Sequence, residues 1–145
     1  MARFIMSLSV LAIALAGSGC GKGELHRTQG RVTKGGEDFV PAEGENLQIG
    51  LMQILPDGKP PKNYYYASVD QGTGTFTAAG AQLQGVPAGK YRVTVELMKQ
   101  KKDQFGGRFD ADRSPFVVDI DGDDEEIVID LDTAPRELIV MPESD

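Results

Sequence analysis

The chain is poor in the residues from which reactive sites are most often assembled. It has one cysteine, one histidine and no tryptophan. A single cysteine excludes an intramolecular disulfide. The lone imidazole, His26, excludes a zinc site built on several histidines, and a triad would need it to converge with partners. His26 therefore reads as a solvated or edge-strand residue. Basic charge is also short, with 15 Lys+Arg against 22 Asp+Glu and a formal net charge of -7. Nucleic-acid affinity comes largely from basic residues that neutralise phosphates, so that partner is set aside. The same charge argues against lying flat on anionic lipid. After residue 25 no window of ten or more residues carries a helical stripe free of glycine or proline. Nothing in the chain calls for a cofactor.

What is present begins with an apolar segment. Arg3 is the sole charge before Lys22, residues 4–16 are apolar except for Ser7 and Ser9, and Gly17-Ser18-Gly19 leads to Cys20. The run is shorter than the roughly 20 residues that span a bilayer. A basic start, a short apolar core and a small-residue exit make a secretory signal, expected to be helical. Residues 16–20 resemble the lipobox of bacterial lipoproteins, departing from it at Gly17, where an aliphatic residue is usual. The resemblance implies cleavage before Cys20 and acylation of its thiol and new amino terminus. The domain would then hang from a membrane by a lipid anchor, on its periplasmic or cell-surface side. Several acyl chains anchor stably where one is marginal. A chain starting at Cys20 loses only Arg3 among its charges, leaving 14 Lys+Arg against 22 Asp+Glu, or -8. The organisation expected is a signal over 1–19, a tether over 20–25, one domain over 26–132 and a tail over 133–145.

Beyond the tether the pattern is period two, with turn signals at short spacing, which predicts an all-β sandwich. Strands are expected over 26–33, 47–55, 63–69 and 75–78. The clearest follows Pro87-Ala88-Gly89. There Tyr91, Val93, Val95 and Leu97 point one way, and Arg92, Thr94 and Glu96 the other. Residues 99–113 read as a long loop. Phe116, Val118 and Ile120 then face the core, and Ile127, Ile129 and Leu131 return as a last strand. Residues 138–141 form one more apolar patch, suited to an edge strand.

Gly30-Arg31-Val32, Gly74-Thr75-Phe76-Thr77 and above all Pro87-Ala88-Gly89-Lys90-Tyr91-Arg92-Val93 resemble the carboxypeptidase-regulatory-like group of transthyretin-like domains. The likeness runs over about 26–132. It implies a seven-stranded Greek-key β-sandwich, placement outside the cytoplasm and no catalysis by the domain itself. It also implies that Pro115-Phe116-Val117-Val118 and Ile127-Val128-Ile129-Asp130-Leu131 form the final hairpin. The related hydroxyisourate hydrolases use several histidines, and this chain has only His26.

Three segments could bind a partner. Tyr64 and Tyr66 should share one strand face and Tyr65 the other. Exposed tyrosines suit sugar or protein contact, while buried ones pack across strands. Lys99, Lys101, Lys102 and Arg108 make the long loop basic, with Phe105 and Phe109 as candidate exposed anchors for an anionic partner such as lipid headgroups, an acidic glycan or a protein. Long loops are often functional. Asp119, Asp121 and Asp123 offer oxygens at alternate positions, as a calcium loop would. Yet Asp124 stands where such a loop needs glycine, so a solvated acidic hairpin is the competing reading. Two functions follow. One is a membrane-tethered, non-enzymatic binding or structural module of the cell envelope, with a protein or glycan partner. The other is a carbohydrate- or calcium-binding accessory domain of the cell surface.

Overall fold

The computed structural model describes residues 23–57, 63–122 and 126–137. The signal segment, Cys20, Asp123 and the apolar patch at 138–141 lie outside them. The described residues contain no α-helix and are all-β. Among the described residues twelve strands follow in order: β1 (Leu25–His26), β2 (Thr28–Lys34), β3 (Glu37–Asp38), β4 (Asn46–Gln53), β5 (Tyr64–Tyr66), β6 (Ser68–Val69), β7 (Thr75–Ala78), β8 (Val86–Pro87), β9 (Gly89–Lys99), β10 (Lys102–Asp103), β11 (Val117–Ile120) and β12 (Ile127–Asp130).

They make two five-stranded sheets and a small ribbon. The first sheet runs β10-β9-β4-β5, with β11 also on β9. The second runs β12-β2-β7-β6, with β3 also on β2. β1 pairs with β8. The longest register is antiparallel, from Asn46 opposite Met98 to Gln53 opposite Tyr91. β12 lies parallel to β2, Ile127 opposite Gly30.

Alternation puts apolar side chains of both sheets into one core. Val32, Phe76, Ile127 and Ile129 come from the second sheet, and Leu47, Ile49, Leu51, Tyr91, Val93 and Val95 from the first. The expected inward set on β9 is buried, as are Ile120, Ile127, Ile129 and Leu131. Tyr91 is fully enclosed, donates its hydroxyl to the Pro87 carbonyl at 2.6 Å and meets Tyr65 edge-on.

Several expectations are corrected. The strand over 63–69 is two strands in different sheets: β5 pairs with β4, β6 with β7, and Ala67 bridges them by donating its N–H to the Ile49 carbonyl at 2.9 Å. The strand over 26–33 likewise breaks at Arg27, and Leu25, placed in the tether, already pairs with Pro87. Residues 115–118 and 127–131 do not form a hairpin. β11 runs along β9 while β12 joins β2 in the other sheet. Both strands have the alternation of a half-buried strand, and alternation does not name the partner.

The segment 99–113 is not an open loop. Gln100 and Lys101, at φ 50° and 65°, turn β9 into β10. Both central residues of such a two-residue hairpin take positive φ. The Asp103 carboxylate then accepts the backbone N–H groups of Leu97, Phe105 and Gly107 at 2.8 to 3.0 Å. So pinned, the chain runs back along the open edge of β9. Val95 donates to the Phe109 carbonyl and Val93 to the Phe116 carbonyl, each at 3.0 Å, and the Ser114 hydroxyl donates to the Val93 carbonyl. An irregular segment thus satisfies the polar groups that an edge would leave bare.

Gly30 shows how closely the second sheet is packed. It faces Phe76 across β2 and β7. A Cβ there would collide with the Phe76 ring and stand 2.6 Å from the Ile127 carbonyl oxygen. Gly30→Ala should lower the free energy of unfolding by at least about 2 kcal/mol, read from urea denaturation. Tyr91 generates a pH dependence. Burial, with a smaller contribution from Tyr65, pushes its phenol up from 10.0 to about 12. The folded form therefore holds the proton more tightly than the unfolded chain. Its contribution is complete below pH 10 and is lost as pH rises from 10 towards 12. The urea midpoint should fall across that window, and fall less in Tyr91→Phe.

Candidate functional site

The outward face of the first sheet is set by the residues that alternation turns away from the core. In register across β5, β4 and β9 lie Tyr66, Gly50 and Thr94, and in the next row Tyr64, Met52 and Arg92. Tyr64 and Tyr66 share this face, 43% and 63% exposed, while Tyr65 packs against the core. The two outer rings meet edge-on at 4.9 Å.

Gly50 decides how Tyr64 lies. A Cβ at 50 would collide with the Tyr64 phenol and sit 2.6 Å from the Thr94 Oγ1. Without one, the ring crosses β4 and its hydroxyl reaches the Thr94 Oγ1 at 2.5 Å. Thr94 is only 5% exposed as a result, although its place on β9 assigns it to the wet side. Burial raises the Tyr64 phenol above its ordinary range, partly offset by the Thr94 bond. Tyr64 is thereby a fixed support for the more exposed Tyr66 ring.

Beside Tyr66 an open hollow of about 440 Å³ borders β4 where β5 leaves for the other sheet. Asn46, Gln48, Tyr66 and Gln71 supply its polar lining, and Ile49 and Val69 part of its apolar lining. Gln71 acts as a one-residue strand. Its amide oxygen accepts the Leu47 N–H at 2.7 Å, and its amide nitrogen donates to the Leu47 carbonyl at 2.9 Å. Sequence reasoning passed over Gln71, Gly50 and Thr94. Each lies far in the chain from the group it serves, and no local pattern marks such partners.

The basic segment divides. Lys101 and Lys102 are exposed at the β9–β10 tip. Lys99 pairs with Glu45 at 3.4 Å. Arg108 stands over the Phe109 ring at 5.0 Å and donates to the Thr133 carbonyl at 3.3 Å. Phe109 is a correction: it is 1% exposed, and so is no surface anchor. It packs between Phe105, met edge-on at 5.5 Å, and the tilted ring of Phe116 at 5.3 Å, and Phe105 is half-buried against the same core. The return of this segment along β9 carries both rings inward.

Asp119 and Asp121 are exposed, Asp119 opposite Lys90 on β11, and Asp123 lies outside the described residues. Among the described residues no three His, Cys, Asp or Glu side chains stand together as metal ligands would. Ile120 pairs with Gly89, so the acidic turn leaves one end of β9 and the lysine tip the other. Eleven residues of strand separate those ends by ~33 Å. His26 sits in β1 opposite Val86.

The Gln71 clamp is testable. Gln71→Ala leaves both Leu47 backbone groups without their partner, and Leu47 is buried. It should lower stability by about 2 kcal/mol and speed hydrogen exchange at the Leu47 amide. Unchanged exchange there would contradict the clamp. Comparison of the chain with protein-family models, with curated proteins and with solved structures finds no match in any of the three.

Proposed function

We propose that this chain is a membrane-tethered, non-enzymatic binding module of the cell envelope, working through the outer face of its first sheet. The observation that carries the reading is the Tyr64–Tyr66 pair, exposed yet held by the Thr94 hydroxyl and the space above Gly50, beside an open hollow without charged lining. Rigid aromatic rings with polar tips are what recognition surfaces use, because little freedom is lost when they are covered. Among the described residues that face carries groups suited to hold a ligand and no nucleophile paired with a base.

The fold reading that accompanies it is a seven-stranded Greek-key β-sandwich of the transthyretin-like kind. Taking β2, β4, β5, β7, β9, β11 and β12 as the seven, the sheets read β7-β2-β12 and β5-β4-β9-β11. Four connections cross between sheets: β2 to β4, β5 to β7, β7 to β9 and β11 to β12. One core drawn from both sheets supports their stacking face to face.

Tethering rests on the apolar segment and Cys20. Cells grown with an alkynyl fatty acid should label the wild-type chain and leave Cys20→Ser unlabelled. The labelled chain should float with membranes, and the serine variant should not. Equal labelling of both would remove the anchor from the account.

A further inference from the structure

The binding-module reading leaves the class of ligand open, and the hollow itself narrows it. We propose that the hollow between Tyr66 and the outer edge of β4 takes a neutral saccharide chain, with the Tyr66 ring as the stacking surface and the Asn46 and Gln48 amides as hydrogen-bonding groups. The proposal rests on the binding-module reading for the place where the ligand is met.

Charge comes first. In a chain with 26% charged residues, none of the side chains lining this hollow carries a formal charge. An ionic ligand would shed hydration there and gain no counter-charge. Glu96, opposite Gln48 on β9, further disfavours an anion. Hydroxyl groups lose much less on leaving water, and hydrogen bonds to neutral amides offset that loss. Each hydroxyl both donates and accepts, and so does each side-chain amide.

Shape agrees with chemistry. The Tyr66 ring is the most exposed aromatic surface of the described residues, and Tyr64 backs it edge-on. The apolar C–H face of a pyranose can cover such a ring while its equatorial hydroxyls reach the amides. The volume of about 440 Å³ lies within the range of small-molecule sites. The hollow is open, which suits a chain that passes across it rather than an enclosed monosaccharide.

An extended peptide adding itself to β4 fits less well. Such a strand needs unpaired backbone groups along the edge. Here the Leu47 N–H and carbonyl are held by Gln71, and the Ile49 carbonyl by the Ala67 N–H.

The full chain in detergent micelles should be titrated with cellotetraose, with chitotetraose and with the strand-forming peptide Thr-Val-Thr-Val-Thr. Calorimetry and intrinsic fluorescence are the two readouts. With no tryptophan present, emission comes from four tyrosines, and the part of a ligand-induced change that is lost in Tyr66→Phe and Tyr66→Ala belongs to the Tyr66 ring. At least one saccharide should bind saturably with a change in tyrosine emission. The one that binds tells a glucan surface from an N-acetylglucosamine one. Tyr66→Ala should weaken that binding about tenfold, whereas Tyr66→Phe, which keeps the ring, should stay within about threefold. Both variants should keep the wild-type circular dichroism, since Tyr66 lies outside the core. The proposal is overturned if neither saccharide gives saturable heat at about 10 mM, the millimolar end of weak recognition. It is overturned equally if Tyr66→Ala binds like wild type, or if the peptide alone binds. Binding of the peptide without a saccharide would sink the proposal and leave the binding-module reading standing, whereas a face that takes neither would lose both.

Discussion

Along β9 every second side chain is driven into a dry interior and the others are turned away, and the neighbouring strands take their register from that choice. Tyr91, Val93, Val95 and Leu97 are buried. β4 pairs with β9 over its whole length, β11 over four residues and β10 at the tip. A slip of one residue would exchange the faces of β9 and expose the core row. The same register puts Thr94 beside Gly50 and so under the Tyr64 hydroxyl. The surface proposed to bind is a consequence of how the core is aligned.

Glycine and aromatic side chains are matched across strands on both sheets. Gly30 makes room for Phe76 on the inner side of the second sheet, and Gly50 makes room for Tyr64 on the outer side of the first. In each case a ring covers backbone that glycine leaves bare, which offsets the weak strand preference of glycine. Inside, the result is density. Outside, it is a ring held in one orientation, which is what a stacking surface needs. The difference lies in which side of the sheet faces water.

The segment after β9 shows the limit of composition as a guide. Lysines, glycines and two phenylalanines in a long connection read as a docking loop. Three N–H bonds to Asp103 and the return of the chain along β9 make it part of the wall. Phe109 is buried for that reason, and Arg108 lies against its ring. What remains open at the tip is Lys101 and Lys102, about one strand length from the acidic turn.

The sequence by itself determined the class of the protein. Period-two alternation, turn residues at short intervals and the absence of a helical stripe specify strands, because side-chain direction in a strand depends only on position along it. The inward rows of β9, β11 and β12, and the opposed faces of Tyr64 and Tyr65, were legible for that reason. Only the tertiary structure decided which strand lies beside which. Hydrogen bonds between strands join residues distant in the chain, and an alternating strand fits equally well against several neighbours. Hence the split of β5 from β6, the separation of β11 from β12, the Gln71 clamp on Leu47 and the hollow beside Tyr66 came from packing alone.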